Sequence, residues 1–189
     1  MLVKRRVVII TDGDRIAKKV VEKVALNIGG RAISLSSGNP TRASAEQIRE
    51  AIQKTPYDPV LVMVDDCGSS LKGRGEVIIE SLANDPEIEI IGAVAVASNT
   101  DGVEGVTIDA SVDREGRVVN VPVDKEGYPE PEGHIKVEGD TVDILNQLKI
   151  PVIIGVGDLG KMEDADLIED GAKITTIAVQ EVLKRSNFH

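Results

Sequence analysis

An unbroken apolar run, Val7-Val8-Ile9-Ile10, ends in Thr11-Asp12-Gly13-Asp14 and passes straight into a helical pattern. Four β-branched residues without alternation mark a strand covered on both faces, which places this segment at the centre of a sheet. After the acidic turn, Ala17, Val20, Val21, Val24 and Ile28 recur at three- and four-residue steps, with Lys18, Lys19, Glu22 and Lys23 between them. That is one amphipathic helix, and Gly29-Gly30 stops it because glycine accepts the left-handed conformation that ends helices. A carboxylate pair between a buried strand and a helix start lies where open α/β sheets receive ligands.

The remaining chain repeats the pattern. Ala32-Ile33-Ser34-Leu35 reads as a short strand, followed by a loop dense in turn residues, Ser36-Ser37-Gly38-Asn39-Pro40-Thr41. Ser44 and Gln47 form a capping box for a helix whose inner face is Ile48, Ala51 and Ile52. A second apolar run, 60–64, ends in Asp65-Asp66, and a helix on Val77, Ile78, Leu82 and Ala83 follows a glycine-rich loop. A long strand over 88–97 runs into Ser98-Asn99-Thr100-Asp101-Gly102. Asp140 is expected to cap a helix on Val142, Ile144, Leu145 and Leu148. The last strand, Val152-Ile153-Ile154, precedes Gly155-Val156-Gly157-Asp158-Leu159-Gly160 and a final helix on Ile174, Ile177, Ala178 and Val182, with Lys184 and Arg185 in its last turn.

Between residues 102 and 139 helical periodicity gives way to alternation at Val106, Ile108, Ala110 and Val112. Val112-Asp113-Arg114-Glu115-Gly116 is echoed by Val123-Asp124-Lys125-Glu126-Gly127, each a tight turn with glycine at a positive-φ position. This is an antiparallel β-hairpin insertion, a lid, an arm or a docking surface. The expectation is one domain over 1–189: a three-layer α/β fold, Rossmann-like or flavodoxin-like, with a mainly parallel five-stranded sheet.

Composition narrows the chemistry. The chain has 22 Lys and Arg against 32 Asp and Glu, a net charge of −10, with no Trp, one Phe and two Tyr. Its field repels nucleic acid and anionic lipid, and it has few aromatic rings on which bases could stack. Cys67 is the single cysteine, so neither an internal disulfide nor a cysteine zinc site can form, and it reads as a buried or inert thiol. Met1-Leu2-Val3 meets Lys4-Arg5-Arg6 at once, without the apolar segment of a secretion signal, and no run approaches a membrane span. A soluble protein, made without a signal peptide and without direct membrane insertion, is expected.

The candidate site follows from convergence. Asp12, Asp14, Asp65, Asp66, Asn99, Asp101 and Asp158 all follow strands read as parallel, whose carboxyl ends share one edge of the sheet. With Asn39, Ser98 and Lys161 they make up the cleft candidates, and Asp12, Asp14 and Asp158 are the candidate metal ligands. Oxygen ligands gathered there suit Mg²⁺ or Ca²⁺. The competing view is that Asp and Asn merely cap helices and open turns. The 155–160 glycines match dinucleotide-fingerprint spacing, but no βαβ unit remains to supply the ribose-binding acid. No histidine neighbours a nucleophile, so no catalytic residue is assigned.

Two enzyme templates fit in part. Asp12-Gly13-Asp14, then Ser98, then Gly157-Asp158 with Asp164 resembles the motif order of haloacid-dehalogenase-like phosphatases, in which an aspartate attacks phosphorus and Mg²⁺ bridges carboxylates. Ile16 departs from that motif, and an ordinary helix stands where its flap belongs. The paired aspartates of Toprim domains also match, but the glutamate that template needs on an earlier strand is lacking.

A broader resemblance spans nearly the whole chain. Thr11-Asp12-Gly13-Asp14, Ser37-Gly38-Asn39-Pro40-Thr41, Tyr57-Asp58-Pro59-Val60-Leu61-Val62-Met63, Ala95-Val96-Ala97-Ser98-Asn99-Thr100, Val123-Asp124-Lys125-Glu126-Gly127, Gly139-Asp140-Thr141-Val142-Asp143, Gly157-Asp158-Leu159-Gly160-Lys161-Met162 and Ile174-Thr175-Thr176 stand in this order. Together they resemble the soluble AE subunit of the stage V sporulation protein A group. The resemblance implies a non-enzymatic accessory subunit in sporulation and germination, working beside the group's membrane subunits at the spore inner membrane. There the group moves dipicolinic acid, with Ca²⁺, into and out of the spore. Free dipicolinate is a dianion that the acidic cleft would repel, so Ca²⁺ would mediate any contact there. The Mg²⁺-dependent phosphatase is the alternative.

Overall fold

The computed structural model describes residues 3–67, 73–99, 103–139 and 141–189; Asp101 and Asp140 lie outside them. The central strand β1 (Arg5–Ile10) has Val7 to Ile10 fully buried, as its unbroken apolar run requires. Val8 and Ile10 enter one apolar core while Val7 and Ile9 enter the other, the two-residue alternation of a strand between two layers.

Helix α1 (Arg15–Ile28) starts at Asp14, whose Oδ1 accepts from the amides of Ile16 and Ala17 at 2.8 Å each. Gly29, at φ 72°, ends it as expected. After β2 (Arg31–Ala32), helix α2 (Ala45–Lys54) opens on the capping box of Ser44 and Gln47. Then come β3 (Val60–Met63), α3 (Arg74–Ala83) and β4 (Ile88–Val96). The 103–139 region contributes β5 (Val106–Thr107), β6 (Ala110–Val112), β7 (Val118–Val119) and β8 (Lys136–Val137). Strand β9 (Ile153–Val156) and helix α4 (Lys173–Arg185) complete the order.

The main sheet has seven strands in the order β2-β3-β1-β4-β9-β6-β7, parallel from β2 to β6, with β7 antiparallel. The five expected strands, with β6 added as a sixth, form its parallel body, giving the three-layer α/β fold. The order places β3 between β2 and β1, differing by one exchange from each of the two common doubly wound orders. Helices α1 and α4 cover one face; α2 and α3 cover the other. Adjacent strands β1 and β3 therefore send their chains to opposite faces, which opens a crevice between their carboxyl ends.

Four expectations are corrected. The 102–139 region is not wholly a separate meander. Its β6 pairs parallel with β9 and β7 hangs on β6, while β5 and β8 form a small antiparallel sheet. The strand expected over 32–35 stops at Ala32, and Ser34–Ser36 is a 3-10 turn. Ser36 is the physical reason, because its hydroxyl donates to the Ile33 carbonyl at 2.6 Å and accepts the Met63 amide at 2.9 Å, bending the chain off the sheet. The helix expected after Asp140 is a 3-10 helix, Val142–Gln147; Asp143 turns outward to accept the amides of Glu104 and Gly105. In α3, Val77 is 47% exposed and the buried face is Ile78, Ile79 and Leu82.

The echoed turns adopt one conformation. Gly116 (φ 79°) and Gly127 (φ 82°) donate to the carbonyls of Asp113 and Asp124, and Arg114 donates its amide to the Gly127 carbonyl at 2.9 Å, so the two turns stack. Gly92 serves a different need: a Cβ there would lie 2.4 Å from Val182 Cγ1, so only glycine lets α4 approach the sheet this closely.

Candidate functional site

Thr11 fixes the end of β1 against β4, its hydroxyl accepting the Val96 amide at 3.0 Å. The chain then leaves the sheet through Asp12, whose Oδ1 accepts the Asp14 amide at 3.2 Å. Next to it, the turn after β9 brings in Asp158 and Lys161. The Lys161 ammonium donates to Asp158 Oδ2 at 2.9 Å and stands 3.6 Å from Asp14 Oδ2. Turns remote in sequence thus meet on one rim of the sheet.

Electrostatics at the rim follow from this crowding. Burial and then the charge of Asp14 push the Asp12 carboxyl up to about 7; the bond from the Asp14 amide pulls the other way, and the charges of Asp158 and Asp65 add smaller upward pushes. Burial works against the charge of Lys161, but its hydrogen bond to Asp158 and the field of Asp158, Asp14 and Asp12 outweigh it and raise the ammonium. The cation held among these carboxylates is therefore the chain's own. Among the described residues no group of three or more His, Cys, Asp or Glu is arranged to hold a metal ion.

The remaining candidates divide. Asp65 is buried beside the rim, with Oδ1 accepting the Cys67 amide at 2.8 Å. Asp66 turns away: its Oδ1 accepts the Gly75 amide at 2.5 Å, so it serves the first turn of α3. Cys67 is exposed rather than buried. Asn39 lies across a groove of about 670 Å³ from the start of α1, in a loop tied to the rim by the Gly38 amide, which donates to the Gly13 carbonyl at 2.6 Å. A Cβ on Gly13 would come 2.8 Å from the Gly38 oxygen, so this close approach requires glycine. Ser98 and Asn99 face a different pocket, of about 450 Å³, shared with Lys125, His134, Lys136 and Glu138.

The 155–160 turn does not cradle a phosphate. The backbone of the 123–127 turn sits on it: Asp158 donates its amide to the Lys125 carbonyl at 2.7 Å, and a Cβ on Gly157 would meet that carbonyl at 2.7 Å. No helix follows until Lys173. Asp164, the late acid of the phosphatase-like order, is exposed in a left-handed turn at φ 68°.

Two structural carboxylates escape a linear reading. Asp166 is fully buried and accepts from the Gly160 amide, the Thr175 amide and, at 2.6 Å, the Thr175 hydroxyl, so one side chain binds the rim turn to the start of α4. Ala172 at the N-cap offers no side-chain cap, and that is the only local sign that one must come from elsewhere. Asp113 is also fully buried. Burial opposes its charge, but bonds from the Arg117 amide and guanidinium and from the Glu115 amide hold its carboxyl below the usual range.

Among the described residues no helix is long and apolar enough to cross a membrane. No curated protein and no solved structure matches the chain. The family model described as stage V sporulation protein AE1 matches residues 6–186, covering the central strand, both acidic turns, the β6–β7 extension and the final helix, and the chain belongs to that family.

Proposed function

We propose that this protein is a non-enzymatic accessory subunit of the spore machinery that takes up and releases dipicolinic acid with Ca²⁺, held peripherally at the spore inner membrane by the other stage V sporulation protein A subunits. Family membership gives the role in sporulation and, through the family name, the association with that group. The observation that carries the non-enzymatic reading is Lys161. Its ammonium stands between Asp158 and Asp14, where a phosphatase would need a metal, and satisfies carboxylates that catalysis would need free. Asp14 is further committed to capping α1, and Asp66 to α3.

The Mg²⁺-dependent phosphatase draws its support from one feature, the raised carboxyl of Asp12 beside a lysine. Assay of a generic phosphate ester with Mg²⁺ separates the two. Silence across esters is the expected result; turnover that vanishes in Asp12→Asn would replace the accessory role with the enzyme. Calorimetric titration with Ca²⁺, dipicolinate and their mixture tests the cargo, with more heat expected for the mixture, after subtraction of the heat of Ca²⁺–dipicolinate association itself, than for either component. Heat in none of the three would remove cargo binding and leave partner docking.

A further inference from the structure

The groove between α1 and the 37–42 loop is basic in a chain that is acidic as a whole. Arg15, Lys18, Lys19 and Arg42 line it, against only Asp14 and Glu22. Both acids are engaged: Asp14 caps α1 and faces Lys161, and Glu22 accepts the Ser34 hydroxyl at 2.6 Å. Among the described residues none of the four cations is in an ion pair, whereas most other arginines near a carboxylate are paired. With a net charge of −10, the chain has carboxylates to spare for pairing them.

The placement also runs against helix stability. Apart from its cap, α1 carries no acid in its first turn and no base in its last, and Arg15 stands at its first position, where the macrodipole disfavours a cation. Arg15 stands three and four residues before Lys18 and Lys19, so like charges stack along one face and repel. An anion entering the groove would relieve both penalties at once. The helix terminus itself is not the attraction, because Asp14 already takes the amides of Ile16 and Ala17. The loop wall is fixed in advance by the Gly38–Gly13 hydrogen bond and by the Thr41 amide, which donates to the Asp65 carbonyl at 3.0 Å.

We infer that this groove is a binding site for a small organic polyanion bearing two or more carboxylate or phosphate groups. Arg15 and Arg42 would offer planar forks from opposite walls, and Lys18 and Lys19 point charges between them. The site adjoins the acidic rim, sharing Asp14 with it, and does not rest on the role proposed above. Dipicolinate is left out of the probes so that the two readings fail separately.

Pyrophosphate and phthalate are titrated into the full chain at low salt, followed by calorimetry and by amide NMR. Binding of both is expected, weakening as salt rises, with shifts at Gly13, Gly38 and Asn39. The double variant Lys18→Glu/Arg42→Glu should lose at least about tenfold in affinity, since each charge-assisted bond contributes on that order, while exposed Lys149→Glu should not. If the charge reversal disturbs the fold by circular dichroism, Lys18→Gln/Arg42→Gln gives the same comparison. No binding of either probe at millimolar concentration overturns the inference, as does an equal loss in Lys149→Glu or shifts confined to other surfaces. Flotation with anionic vesicles that the double variant abolishes, without binding of either soluble anion, also overturns it and makes the groove a lipid contact.

Discussion

The ammonium of Lys161 donates to the Asp158 carboxylate at 2.9 Å across the turn that ends the last parallel strand, and Asp14 lies 3.6 Å beyond. Removing that ammonium leaves Asp12, Asp14 and Asp158 facing one another without a counter-charge. Because the lysine is partly exposed, Lys161→Ala should cost only about 1 kcal/mol near neutral pH. The cost should shrink in acid, where Asp12 takes up a proton. Urea unfolding at two pH values checks both the size and the trend.

Asp12 should make stability depend on pH. Its carboxyl is raised from 3.8 to about 7 in the folded chain, so between those values the folded state holds a proton that the unfolded state has released. Through this group stability falls as pH rises, and the fall is complete above about 7. Asp12→Asn removes it. Relative to wild type, the variant should gain about 2 kcal/mol between mildly acid and mildly alkaline pH, roughly half the full linkage value because the side chain is partly exposed. A carboxyl titration by NMR gives the midpoint directly, and one in the ordinary aspartate range would refute the crowding described for the rim.

Asp166 should be among the most costly turn residues to change, because it is fully buried. Asp166→Ala leaves the Gly160 and Thr175 donors unmet in a dry interior, an expected loss of about 3 kcal/mol. Glu169→Ala, three residues away and exposed, should change stability by less than about 0.5 kcal/mol. Paired denaturation curves decide it.

Gly157→Ala tests the seating of the 123–127 turn on the rim. The added methyl would come within 2.7 Å of the Lys125 carbonyl and 2.8 Å of both the Gly127 amide and Met162 Cγ. Displacement of that turn should cost about 2 kcal/mol and shift the amides of Gly127 and Asp158 in NMR spectra.

A single cooperative transition is expected on thermal unfolding, since β6 is hydrogen-bonded into the main sheet and ties the 102–139 region to the body of the fold. Calorimetric and van't Hoff enthalpies should agree. Two resolved transitions would make the region a unit of its own.

What could be read from the residues was mostly what local rules control. Buried strands announce themselves by unbroken apolar runs, and Asp14, Gly29, Ser44 with Gln47, Gly116 and Gly127 each act within a few residues of their own position. Convergence of the Asp12 and Asp158 turns followed from parallel topology alone. What failed to show was set by partners distant along the chain. Ser36 breaks a strand because Met63 needs its hydroxyl, β6 joins the sheet because β9 offers a free edge, and Asp166 accepts from Thr175 nine residues on, in the first turn of α4. Ser98 and Asn99 share the carboxyl edge with Asp12, yet the 123–138 segment encloses them in a pocket of their own, a division no strand pattern encodes.

The two apolar layers are moored to the same short strand, Val7 and Ile9 on one side and Val8 and Ile10 on the other. The turn that leaves this strand therefore begins from backbone held on both faces. A ligand that reached this edge would meet shape and charge already in place rather than a site that refolds around it.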